Sequence, residues 1–269
     1  MKIPLCKLCD KPSELKNSHV IGKSVFRNMI KNSGKHYGLV TDHESEKILR
    51  STDQWATLML CGECESLLNS QYENYSLWVL KNKQRGVKHQ EKKHYWTIRN
   101  VNQHRLMMYV LSIFWRASVS DHKVFKDVNL PPEISEYLKK CLLGKMNIDT
   151  KIYSVRISKL IDNRNYYSKQ LLEDLITNIG RRETKKGLCF IMVFAGYYFE
   201  ILLDCLQPFE RFGIGVLRKN KSVLNLPYHD ILSIPELFNS LKRTREIAIK
   251  NIDKLTYLDL NIKNFSEAT

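Results

Sequence analysis

"CKLC" at Cys6–Cys9 and "CGEC" at Cys61–Cys64 decide how the first part of this 269-residue chain is read. A CxxC knuckle places two thiolates on one short turn, where both reach the same cation. Two knuckles supply four ligands and close a tetrahedral zinc shell with no open position. Cys6, Cys9, Cys61 and Cys64 are therefore expected to hold one structural Zn²⁺. A redox-active pair or chance pairing is the other reading of such cysteines. The 51 residues between the knuckles exceed what a compact ribbon needs, so a structured insertion is expected. Cys141, Cys189 and Cys205 stand singly among apolar residues and read as buried thiols.

Working outward from the knuckles, "HVIGKSVFRNMI" reads as a strand running into a short helix that carries Val25, Phe26 and Met29. The polar stretch from Lys31 to Trp55 reads as an extended loop or irregular hairpin, with "YGLVT" as a strand and "TDH" at Thr41–His43 as an Asp-His pair in the loop. The second knuckle opens a helix in which Leu68, Tyr72, Tyr75 and Val79 recur at spacings of four, three and four. Glu65, Asn69 and Glu73, each four apart, fall on a second stripe of that helix.

Beyond residue 100 the patterns describe an α+β fold with its own core. "NQHRLMMYVLSIFWRASVS" is apolar on all sides and is expected to be buried. "LPPEISEYLKKCLLG" is a helix with a proline entry and a stop at Gly144. "YSVRIS" is a strand, and "SKQLLEDLITNIGRR" an amphipathic helix ending near Gly180. "KGLCFIMVFAGYYFEILLDC" is two strands turning at Ala195-Gly196, and "GIGVLRKNKSVLNLPY" supplies another strand pair. "SIPELFNSLKRTREIAIKNIDKL" is a helix capped by Ser233, with Pro235 early and Glu236 at its third position. The expected organisation is a zinc module over 1–80, a basic linker or arm over 81–100 and an α+β domain over 101–269.

The chain carries 43 Lys and Arg against 28 Asp and Glu, a net charge of +15. Such an excess favours polyanionic partners and says nothing about fold. Seven cations between Lys81 and Arg99 face only Glu91, and Tyr95 and Trp96 lie among them. Lys81, Lys83, Arg85 and Lys88 are candidates for phosphate contacts, and the two aromatic rings for base stacking. A charged linker whose rings plug into the core is the alternative. The first residues hold no apolar h-region, and no run approaches about 18 uninterrupted apolar residues. A soluble, cytoplasmic protein with no membrane partner is expected.

The order knuckle, "SHVI", second knuckle, helix resembles the HNH, or ββα-metal, endonucleases over residues 1–80. It is also similar to a group of bacterial proteins carrying "SHIIP" followed by "LLC…CE". The resemblance implies a ββα/treble-clef module in which the zinc holds a strand against a helix. It implies His19 as general base, and Glu65 with Asn69 on the helix as partners of a catalytic Mg²⁺ or Mn²⁺. Ser18 stands where the family commonly has a metal-binding acid. Lys23 and Arg27, four and eight residues past His19, are candidate phosphate clamps. The function so implied is hydrolysis of nucleic-acid phosphodiester bonds, with DNA the first expectation. The setting implied is anti-phage defence, with a homo-oligomer or a defence-system protein as partner. The other reading is a zinc-stabilised module that binds nucleic acid or protein without catalysis.

Overall fold

The computed structural model describes residues 3–32, 37–42, 47–184, 187–203 and 206–250. His43 and Cys205, singled out in the sequence, lie outside the described residues. The chain is α+β, with a cysteine cluster near its start and a larger α+β region after it.

The first knuckle is closed by a bridge between Leu5 and Pro12, with Asp10 in the left-handed region at φ 59°. Strand β1 (Leu15–His19) follows, then helix α1 (Lys23–Asn32), which buries Val25 and Phe26. The hairpin β2 (Gly38–Asp42) and β3 (Lys47–Ser51) fills much of the long insertion. Strand β4 (Ala56–Cys61) returns antiparallel to β1, with a register shift between Lys16 and Asn17. That pairing sets His19 opposite Ala56 and carries the chain directly into the second knuckle. Helix α2 (Gly62–Leu68) starts inside that knuckle and runs through a π turn over Asn69–Glu73 into α3 (Asn74–Leu80).

The basic segment after α3 is built into a sheet. β5 (Lys88–Glu91) and β6 (Tyr95–Arg99) form a hairpin, and β6 pairs with a strand more than 120 residues later. Thr97 and Ile98 are both buried, and because successive side chains face opposite sides of a strand, β6 is covered on both faces there. Helix α4 (Gln103–Val119) comes next, then α5 (Pro132–Leu142), β7 (Tyr153–Ile161) and α6 (Lys169–Asp174). β8 (Gly180–Thr184), β9 (Gly187–Phe194), β10 (Tyr197–Leu203), β11 (Val223–Asp230) and α7 (Pro235–Lys250) complete the order. The seven-stranded sheet runs β5-β6-β11-β7-β10-β9-β8, and only the β11–β7 pair in it is parallel.

Three expectations are corrected. The helix expected to reach Gly180 stops at Asp174, because Leu175 turns to extended backbone. Ile176, Thr177 and Ile179 favour that conformation, and Thr177 bonds Val193 through both its backbone and its hydroxyl. The strand pair expected around residues 213–228 is one strand, β11, preceded by a single bridge between Val216 and Arg156. At Gly215 (φ +82°) a Cβ would stand 2.5 Å from the Ile157 carbonyl, so the chain passes too close for a full strand with side chains. Ser233 does not cap α7; its hydroxyl donates to the Asp230 carbonyl, and the helix begins at Pro235.

Helix α4 explains why its sequence is apolar all round. Phe114 packs on Phe190 and Tyr109 on Phe194, both on β9, while α5 and the π turn cover its other sides. One continuous cluster of buried side chains runs from Cys6 and Leu8 through α4 to Leu224 and Leu226. The region around the cysteine cluster and the sheet therefore share α4 as their common wall.

Candidate metal centre and adjoining polar site

The four cysteine sulfurs all lie within 4.8 Å of one another. Cys9 Sγ and Cys61 Sγ are 3.9 Å apart. A tetrahedral shell with Zn–S bonds of about 2.3 Å sets its sulfurs about 3.8 Å apart, so the cluster is compatible with a structural zinc site. The backbone prepares the site as well. The Cys61 amide donates to Cys6 Sγ at 3.3 Å, and the Asp10 amide donates to the Cys6 carbonyl at 2.9 Å. Burial opposes ionisation of Cys6, yet the amides of Cys61, Cys9 and Leu8 aim at its sulfur and bring its pKa down to about 7. Cys64 shows the opposite balance: burial and its neighbouring thiols push it far up. Four thiolates this close would need a cation to share, and the four-sulfur donor set fits zinc.

Beside the cysteines lies a partly buried polar cluster assembled from three separate parts of the chain. His19 ends β1, Glu65 and Glu73 come from the helix after the second knuckle, and Arg116 comes from α4. The Arg116 side chain is 3% exposed. Its Nη1 donates to the His19 carbonyl at 2.7 Å, its Nη2 to Glu73 Oε2 at 3.2 Å, and its Nε to the Ser112 carbonyl at 3.3 Å. Glu73 reaches this position only because residue 22 is glycine. A Cβ there would stand 2.2 Å from Glu73 Oε1.

Glu65 and Asn69 are in α-helical register, the Asn69 amide bonding the Glu65 carbonyl, and the π turn then shifts Glu73 out of that register. The Asn74 amide bonds the carbonyl five residues back, at Asn69, which rotates the turn relative to an α-helix. Asn69 and Gln71 are exposed, while Glu65 and Glu73 are partly buried. Glu65 Oε2 is buried and without a hydrogen bond among the described residues. Burial pushes the Glu65 carboxyl up, Arg116 and the Ser18 hydroxyl pull it down, and Glu73 pushes it up again. Ser18 is fully buried and also donates to the Lys16 carbonyl at 3.3 Å.

His19 is half-buried. Burial lowers its pKa, as do Lys23 and Arg116, while Gln54 and Glu73 act the other way. The Gln54 carboxamide faces the ring, but its Oε1 is buried without a hydrogen bond of good geometry. Burial and the two neighbouring cations thus favour the neutral imidazole. Tyr109, wholly buried on α4, feels the charges of both Glu73 and Arg116, and its hydroxyl has no hydrogen-bond partner among the described residues.

No family model, curated protein or solved structure matches this chain.

The cations of the site lie at its rim. Lys23 and Arg27 are exposed on α1, and Lys81 Nζ donates to the Ser24 carbonyl of the same helix at 3.4 Å. Burial lowers the Lys81 pKa and Glu73 raises it, so this ammonium sits within reach of the cluster's charge. Lys83, Arg85 and Lys88 are exposed on the way into β5. Trp96 is less available than the sequence implies, since its indole N–H donates to His89 Nδ1 at 3.0 Å. Among the described residues, the four cysteines are the one group of three or more Cys, His, Asp and Glu side chains close enough to share a metal. His19, Glu65 and Glu73 form no such group; Glu65 Oε2 has no hydrogen-bond partner among the described residues, whereas Glu73 is held by Arg116. Arg116 and Gly22 escaped the sequence reading, although a lone arginine in an otherwise apolar helix signals a buried counter-charge elsewhere.

Proposed function

We propose that this chain is a zinc-stabilised, HNH-like endonuclease that hydrolyses nucleic-acid phosphodiester bonds at His19, with Glu65 as the carboxylate that receives Mg²⁺ or Mn²⁺. The observation that supports the reading is their shared neighbour Arg116, which bonds the His19 backbone carbonyl and Glu73 and acts on the charge of Glu65. Mg²⁺ commonly takes one or two protein carboxylates and completes its shell with water and phosphate oxygens. The orphaned Glu65 Oε2 fits that role. When bound, the cation neutralises charge on the scissile phosphate. His19, neutral and pointed by the backbone that Arg116 grips, takes the proton of the attacking water. Lys23, Arg27 and Lys81 hold phosphate oxygens at the rim, and Lys83, Arg85 and Lys88 extend the basic track. The bound zinc keeps β1 against α2 and so fixes His19 relative to Glu65.

The second reading is a nucleic-acid-binding module without catalysis. Arg116 favours it, because its guanidinium pairs with Glu73 and leaves Glu65, of these two carboxylates, without an ion pair among the described residues. Cleavage of plasmid, linear and single-stranded substrates with Mg²⁺ or Mn²⁺ separates the two. Cutting by the wild type that is lost in His19→Ala and Glu65→Gln supports the nuclease. Equal behaviour of all three proteins, with salt-sensitive binding retained, supports the binding module.

A further inference from the structure

A cleft of about 620 Å³ lies between α1 and the end of α3 on one side and β6, the β9–β10 turn and α6 on the other. Its volume is that of a small-molecule site. His19, Glu65 and Glu73 do not line it. Lys159, on β7, stands in its wall with Nζ 4.2 Å from the Tyr197 ring centre and 5.9 Å from that of Trp96. The ammonium makes no hydrogen bond or ion pair among the described residues, and ring faces are its near neighbours. Burial lowers the Lys159 pKa, with Glu173 opposing. A cation held away from water against π faces gains most from an anion that enters beside it.

The rest of the wall narrows the ligand. Lys81 and Lys83 add positive charge. Asp162 is occupied by the amides of Arg164 at 2.9 Å and Tyr167 at 2.7 Å, and Asp174 by the amides of Asn32 at 2.8 Å and Gln170 at 2.6 Å. Glu173 accepts no hydrogen bond among the described residues and is exposed at the mouth. Trp96 and Tyr228 offer half-buried ring surface. The Ala195-Gly196 turn holds the arrangement open, since a Cβ on Gly196 would stand 3.0 Å from Lys159 Nζ and 3.2 Å from Glu173 Cγ.

We propose that this cleft binds a nucleotide, with its phosphate on Lys159, its base against Trp96 and Tyr228, and a sugar hydroxyl or ring amine on Glu173. Isothermal titration calorimetry on the full chain, without added Mg²⁺ or Mn²⁺, tests this independently of hydrolysis. The probes are adenosine and guanosine 5′-monophosphate, adenosine, and inorganic phosphate. At least one monophosphate is expected to bind one-to-one with a dissociation constant below about 1 mM, and adenosine and phosphate about tenfold more weakly. Lys159→Met, which keeps the aliphatic stem, is expected to weaken the nucleotide by about tenfold or more, and Glu173→Gln by a few-fold. The second variant, at an exposed position, stands in should the first fail to fold. No binding of either monophosphate overturns the proposal. So does phosphate alone binding as tightly as the nucleotide, or undiminished nucleotide affinity in both variants.

Discussion

The Glu73 carboxylate lies against Gly22, with Oε1 2.2 Å from where a Cβ of residue 22 would stand. A residue between the knuckles and a residue in the π turn are thus fitted to each other. The first prediction follows from that fit. Gly22→Ala should displace Glu73 from Arg116 and destabilise the fold by about 1–3 kcal/mol, the usual cost of forcing a methyl into packed space. Urea denaturation of Gly22→Ala, Glu73→Ala and the double variant checks it. In the double variant the methyl meets no carboxylate, so the Gly22→Ala cost should nearly vanish; an undiminished cost would place the strain elsewhere.

Arg116 is the buried counter-charge of the cluster. Arg116→Met leaves Glu73 without its partner and frees the His19 carbonyl, and should cost about 3–5 kcal/mol. Adding Glu73→Gln to that variant should recover a large part of the loss, because Glu73 then carries no charge that lacks its partner. Chemical denaturation of the four proteins measures the coupling, and purely additive losses would argue against the pair.

Zinc removal should be costly. One zinc per chain is expected by elemental analysis, with binding contributing on the order of 10 kcal/mol to folding of the module. A chelator strong enough to strip it should release four reactive thiols beyond those of the buried single cysteines and lower the melting temperature. Because the core runs unbroken from Cys6 to α4, the loss should reach the packing of α4 as well. Cys61→Ser should behave like the stripped protein; a variant that keeps full zinc and full stability would sink the four-cysteine assignment.

His19 carries a pH signature. Burial, Lys23 and Arg116 set its folded pKa below the unfolded value of 6.5, against the opposing pull of Gln54 and Glu73. Between those two values the unfolded chain binds more protons. Its contribution to stability is therefore full above about pH 6.5 and is lost as pH falls through the folded pKa. His19→Gln should flatten that part of the stability profile. Denaturation midpoints between about pH 5 and 8 test this, and parallel profiles for wild type and variant would contradict a neutral buried imidazole.

The basic track should show itself through salt. Replacing Lys83, Arg85 and Lys88 by glutamate should weaken nucleic-acid binding. It should also lower the slope of log affinity against log salt by about 0.7–0.9 for each phosphate that is no longer neutralised. Fluorescence anisotropy over a salt series reads both. An unchanged slope would move the nucleic-acid surface to another face.

Much of the fold is legible in local pattern. Paired CxxC turns announce the cysteine cluster, and the close approach of their sulfurs agrees with that reading. The all-round apolar run marks α4 as buried, and Ala195-Gly196, with φ of 54° and 76°, makes the expected hairpin turn. These features depend on residues close in sequence, whose geometry their own side chains dictate. What only the tertiary structure decides depends on distant partners. A π turn shifts Glu73 out of the α-helical register that links Glu65 and Asn69, and pairing with β11 turns a basic run into the edge of a sheet. Arg116 reads locally as a misfit in an apolar helix. Its meaning comes from His19, 97 residues earlier, and Glu73, 43 residues earlier, because a buried guanidinium is stable only where other chain segments bring it an acceptor and a negative charge.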